Sequence, residues 1–192
     1  QFLERDIDQK MHRTQMRPLP SEQLAPKNAL IFGSLLAAAG VAELFFFVSG
    51  LSSAIGAIIF VSYVFVYTPL KRFTTLNTYV GAIPGALPPV LGWVAGGGAL
   101  GREAMSLFLL LFVWQLPHFY AIAWVYREDY RRGGLKMLPE RDPSGRDTAF
   151  QILFFSVLLI AASLLPFRLG MVGQVYLAAA LAAGLMLVMA AA

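Results

Sequence analysis

The sequence has no cysteine and only two histidines among its 192 residues. Without cysteine there is no disulfide scaffold, no zinc site built on Cys and no thiol nucleophile. Charge is scarce as well. Charged residues make up 14% and hydrophobic residues 58%, against roughly 25% and about 45–50% in soluble domains. Disorder is excluded, because it needs high charge and few aromatics. The isoelectric point of about 9.6 would suit a nucleic-acid partner, but a membrane protein reaches the same value through basic loops on one face. Placement of charge decides for the bilayer, and no nucleic acid is expected.

What is present is apolar length. A bilayer helix needs ~20 mostly apolar residues, and six stretches qualify, at roughly 28–48, 52–70, 78–97, 104–125, 148–167 and 173–192. The expected fold is all-α, a polytopic transmembrane bundle with adjacent spans antiparallel. With the N-terminal segment inside, 13 of the 15 basic residues gather on one side, together with nine of the eleven acids. Basic excess marks the cytoplasmic side; the positive-inside rule does not require the acids, so this face reads as a reactive surface. The chain opens on a charged, helix-like stretch without Met and stops inside an apolar run. It therefore reads as one transmembrane domain, 1–192, truncated at both ends.

Three polar segments carry the chemistry. In the first, Glu4 and Asp8 lie four apart, on one face of a helix and ~6 Å apart along its axis. Arg13 and Arg17 repeat the spacing, and Pro18 ends the helix. The pair is either a solvated surface with local ion pairs or a seat for a divalent cation and phosphate. In the second, Lys71 and Arg72 close a span as snorkelling anchors. The next span holds Gly81, Pro84, Gly85, Pro88, Pro89 and Gly92, so it is a tightly packed core helix or a cavity wall. The GGGALG string beyond it reads as a turn. In the third, His118 sits at membrane depth, where ionisable groups are functional candidates. On a continuous helix it shares a face with Asp129, ~16 Å away. Carboxylates for Mg²⁺, cations for a diphosphate and apolar walls for a long tail specify an isoprenyl-diphosphate enzyme in a bilayer.

The strings ERDIDQKMHRTQMRPLP, YTPLKRFTTLNTYVGAIPGALPPVLGW and WQLPHFYAIAWVYREDYRRGGLKMLP resemble the UbiA prenyltransferase superfamily, and within it the branch that modifies heme. That superfamily's first signature is an Asn followed at four-residue steps by two acids; Glu4 and Asp8 fit the acids, and the Asn would fall just before Gln1. The second is usually a set of aspartates; here it reads His118 and then Arg127, Glu128 and Asp129. The resemblance implies a helical fold of about nine spans, six of them in this chain. It implies farnesyl diphosphate as donor, heme b as acceptor and, after addition of water, heme O as product. Glu4, Asp8, Glu128 and Asp129 would hold Mg²⁺. Arg13, Arg17, Lys71, Arg72 and Arg127 would hold diphosphate or heme propionates, with Asn77 a polar partner. His118 would orient heme or take up a proton. Heme A synthase would act downstream, in a bacterial plasma membrane with the charged face cytoplasmic or in the mitochondrial inner membrane. The rivals are a UbiA enzyme acting on a quinone or chlorophyll precursor, and a secondary transporter.

Overall fold

The computed structural model describes residues 1–191, and every regular element among them is helical. A single turn, α1 (Arg5–Asp8), precedes a run of turns. Pro26, placed where a missing N–H costs nothing, starts α2 (Pro26–Phe47). Its 22 residues span ~33 Å, and none of them is buried. Ser49 accepts from the Ser52 amide at 3.1 Å and caps α3 (Gly50–Val61).

That helix does not stop at Val61. It widens into a π turn over Ser62–Tyr67 and tightens again in α4 (Thr68–Leu70). Pro69 has no N–H to give the Phe65 carbonyl; the Thr68 amide reaches five residues back to the Tyr63 carbonyl, and the Thr68 hydroxyl donates to the same carbonyl at 3.0 Å. Next come α5 (Asn77–Ala95), α6 (Arg102–Val125) and α7 (Arg127–Gly133). The remainder is α8 (Leu138–Arg141), α9 (Arg146–Ser163), α10 (Leu165–Arg168) and α11 (Gln174–Ala191). The glycine-rich link between α5 and α6 is the expected turn, with Gly97 at φ +88°.

The long helices pack in chain order: α2 on α3, α3 on α5, α5 on α6, α6 on α9 and α9 on α11. Short connections join these neighbours, except α6 and α9, between which residues 126–145 intervene. Among the described residues, five helices are long and apolar enough to cross a membrane: Pro26–Phe47, Gly50–Leu70, Arg102–Val125, Arg146–Arg168 and Gln174–Ala191. The sixth expected span corresponds to α5, which is less apolar than these five and more enclosed. Eight of its 19 residues are buried, so most of it is packed core helix, while Thr78 near its start borders a cavity. Gly81 lies against the Tyr67 ring and Gly85 against the Gln115 side chain, and a Cβ at either position would collide. Gly92 has open space instead, so only the first glycine pair serves close packing.

Ala82, Leu116, Tyr120, Phe155 and Leu159 form the core between α5, α6 and α9. A second cluster, Ile7, Met11, Ala123, Leu135 and Met137, ties the N-terminal segment to the end of α6. Burying Ile7 and Met11 contributes about 1.5–3 kcal/mol each, enough to hold a charged segment against the bundle. The apolar outer faces, α2 above all, have lipid as their solvent, and the chain is an integral membrane protein.

Candidate active site

The three polar segments meet at one end of the bundle. The Lys136 amide donates to the Lys71 carbonyl at 2.7 Å. Lys71 Nζ lies 2.9 Å from Glu4 Oε1. The His12 and Arg13 amides each donate to a different oxygen of Asp129, both at 3.2 Å. Residues up to 117 positions apart in the sequence thus share one polar face.

Glu4 and Asp8 sit one helical turn apart, the Asp8 amide donating to the Glu4 carbonyl at 2.8 Å. Each faces a cation. Asp8 is 3% exposed, and its Oδ2 lies 3.2 Å from Arg17 Nη1. Lys71 also stands 4.4 Å above the centre of the Tyr67 ring. Burial alone would lower the Lys71 pKa, but Tyr67 and then Glu4 raise it more, so its pKa ends above the usual lysine value. Lys71 is a fixed cation at neutral pH.

The helix expected through residue 17 ends at Asp8. Continuing it would need the His12 amide on the Asp8 carbonyl, but that carbonyl accepts from the Thr14 hydroxyl at 2.8 Å and the amide goes to Asp129. The chain therefore turns back, which brings Arg17 to Asp8.

The second acidic pair is arranged otherwise. Asp129 spends both oxygens on the backbone of residues 12 and 13, with Arg132 3.7 Å away. Glu128 is exposed and pairs with Arg131 at 2.6 Å. Among the described residues no three His, Cys, Asp or Glu side chains come together as a metal cluster; Glu4, Asp8, Glu128 and Asp129 do not converge on one point. Arg13 covers the Tyr126 ring at 4.5 Å and reaches the Tyr130 hydroxyl at 3.4 Å. Arg127 covers the Trp124 ring at 4.4 Å. Arg72 is exposed and takes part in no ion pair among the described residues.

The whole chain, residues 1–192, matches the model of the UbiA prenyltransferase family. The chain belongs to that family. Its curated relatives include the protoheme IX farnesyltransferase of Solibacter usitatus (strain Ellin6076), 54% identical over 96% of this chain and 63% of the relative. Those of Koribacter versatilis (strain Ellin345) and Sorangium cellulosum (strain So ce56) are 41% and 44% identical, over 97% and 95% of this chain and 60% and 65% of theirs. The chain thus spans about six-tenths of the length of these relatives. A solved structure described as giving insight into digeranylgeranylglyceryl phosphate synthase in membranes superposes with a TM-score of 0.76. It shares 21% identity and covers 99% of this chain and 66% of its own; that likeness establishes the UbiA-type fold.

Two expected residues are placed differently within this UbiA-family chain. Asn77 is wholly buried. Its amide nitrogen donates at 2.6 Å to the carbonyls of Thr74 and of Lys136, bracing one polar loop against another. His118 does not share a continuous helix with Asp129, because α6 ends at Val125 and α7 begins after Tyr126 (φ −102°, ψ 21°). Its ring stacks on Trp114 at 5.1 Å in a groove of about 300 Å³ bordered by Ile152 and Leu187. Sequence reasoning passed over Tyr67, Tyr126 and Tyr130. The Tyr67 signal was available, since it precedes Lys71 by one helical turn.

Proposed function

We propose that this chain is the greater part of a heme-farnesylating enzyme, converting farnesyl diphosphate and heme b, with water, into heme O. The observation that carries the reading is the pair of carboxylates one turn apart, each matched to a cation from elsewhere: Glu4 to Lys71 at 2.9 Å and Asp8 to Arg17 at 3.2 Å. The relatives named protoheme IX farnesyltransferase support heme as the acceptor within the family.

The donor set fits Mg²⁺. It is all oxygen, and Mg²⁺ is usually held by one or two carboxylates plus substrate phosphates, so Glu4 and Asp8 suffice without a third. When bound, the metal neutralises charge on the departing diphosphate. The chain's own part is to place Lys71, Arg17 and Arg13 around that diphosphate, where charge grows as the bond breaks. The farnesyl carbon–oxygen pair leaves with the diphosphate. The vinyl π pair then forms the new carbon–carbon bond. Water adds its oxygen to the resulting cation and gives up a proton. Asp129 holds the 12–13 turn over this face, and Glu128 with Arg127 and Arg72 forms its rim. His118, in its groove with Trp114, is assigned to the porphyrin. The charged face is cytoplasmic in a bacterial plasma membrane, and heme A synthase takes the product.

Membranes containing the full-length protein, given heme b, Mg²⁺ and farnesyl diphosphate, should form heme O, read by mass. Prenylation of a quinone precursor with heme left untouched would move the protein to another branch of the family. His118→Ala should shift the Soret band of the heme-loaded protein while farnesyl diphosphate affinity holds; an unchanged spectrum would remove His118 from the porphyrin site.

A further inference from the structure

A small cavity lies directly beneath the charged face. Its volume is about 150 Å³, and Tyr67, Thr78, Phe119, Ile122, Tyr130 and Met137 line it. Three of these side chains carry hydroxyls; the other three are apolar. Thr78 is 2% exposed, and its Oγ1 has no hydrogen-bond partner. A buried hydroxyl without a partner costs free energy, whereas a cavity of this size with polar lining holds ordered water.

Both lips of the charged face reach this cavity. Tyr67 has Lys71 Nζ 4.4 Å above its ring, and Lys71 holds Glu4. Tyr130 takes a hydrogen bond from Arg13 at its hydroxyl. The cavity is therefore one side chain below the cations assigned to the diphosphate.

We infer that this cavity stores the water consumed by the reaction, with Thr78 as the residue that positions it. The inference rests on the farnesyl-transfer reading above. After the new carbon–carbon bond forms, the former vinyl carbon is a cation. Oxygen of the stored water donates a lone pair to it, a carbon–oxygen bond forms, and the proton passes to the released diphosphate. Without positioned water the same cation loses a proton from a neighbouring carbon, and the product is lighter by one water.

The test is product analysis by mass on the full-length protein and on Thr78→Val, which removes the hydroxyl and keeps the shape. Wild type should give the hydroxylated product. In Thr78→Val the ratio of hydroxylated to dehydrated product should fall about tenfold, the worth of one hydrogen bond to the attacking water. Thr78→Ser should restore it. Thr78→Ala reads the same ratio if the valine variant fails to fold. Thermal unfolding gives an independent readout. A dry, unpartnered hydroxyl replaced by methyl would raise the melting temperature, while loss of a water-bound hydroxyl leaves it unchanged or lowers it. An unchanged product ratio or a raised melting temperature overturns the inference. Wild-type protein that makes no prenylated heme overturns the underlying reading instead, and the two failures are distinct.

Discussion

Glu4 and Asp8 face cations at 2.9 and 3.2 Å, whereas Asp129 and Asp142 accept hydrogen bonds from backbone amides, Asp142 from two hydroxyls as well. Glu4 meets Lys71 and Asp8 meets Arg17. Asp129 takes the amides of residues 12 and 13. Asp142 takes the Thr148 amide and hydroxyl, both at 2.8 Å, and the Ser144 hydroxyl at 2.9 Å, where α9 begins. On the function proposed above, the difference separates reaction from scaffold. A lysine or arginine can turn from a carboxylate to an incoming diphosphate without moving the chain. An amide cannot leave its acceptor unless the loop unfolds. On the function proposed above, Glu4 and Asp8 serve the ligand, while Asp129 and Asp142 serve the fold.

The largest expected effect follows from the first pair. Asp8→Asn keeps the shape, so turnover should fall about a hundredfold or more, as when a charge-stabilising group is lost. The melting temperature should change little. Loss of activity only through loss of folded protein would break the comparison.

Asp129→Ala should do the reverse. Two exposed amides lose their acceptor, at about 0.5–1.5 kcal/mol per hydrogen bond. Hydrogen exchange at His12 and Arg13 should accelerate, and turnover should fall less than in Asp8→Asn. Unchanged exchange would show that the amides have another partner.

A smaller contrast lies among the cations. Arg17→Gln should weaken farnesyl diphosphate binding about tenfold, since charge-assisted bonds to phosphate are strong. Arg131→Gln breaks only the exposed pair with Glu128 and should change the affinity less than about twofold. Equal effects would mean that the face acts only through its summed charge.

The smallest effect is acid titration of the α9 cap. Burial would raise the Asp142 carboxyl, but hydrogen bonds from the Thr148 amide, the Thr148 hydroxyl, Ser144 and Gly145 outweigh it, and its pKa ends below the usual aspartate value. The cap's contribution is complete above the unfolded aspartate pKa of about 3.9 and fades as pH falls through the lower folded value. Thermal unfolding below about pH 4 should therefore lose stability in wild type, and less so in Asp142→Asn.

The sequence showed the spans, because runs of ~20 apolar residues have one physical explanation, and it located the polar face by charge placement. It showed the Glu4–Asp8 pair because both acids lie on one short turn. It could not show the partners of Asp129, which stand 116 and 117 residues away. Nor could it show the break at Tyr126, a backbone angle rather than a residue signal, and this put His118 and Asp129 on one line. Asn77 read as a site residue because its type is polar; its two carbonyl partners exist only once the loops meet. The π turn over Ser62–Tyr67 was not read from the sequence at all. Its use, carrying Tyr67 beneath Lys71, needed the fold.

The most direct measurement is Mg²⁺-dependent binding of farnesyl diphosphate to the full-length protein, compared between Asp8→Asn and Asp129→Asn by calorimetry. The Mg²⁺ dependence should disappear in Asp8→Asn and survive in Asp129→Asn. Loss in both, to the same extent, would make Asp129 a ligand of the same metal and contradict the division between reactive and scaffolding carboxylates.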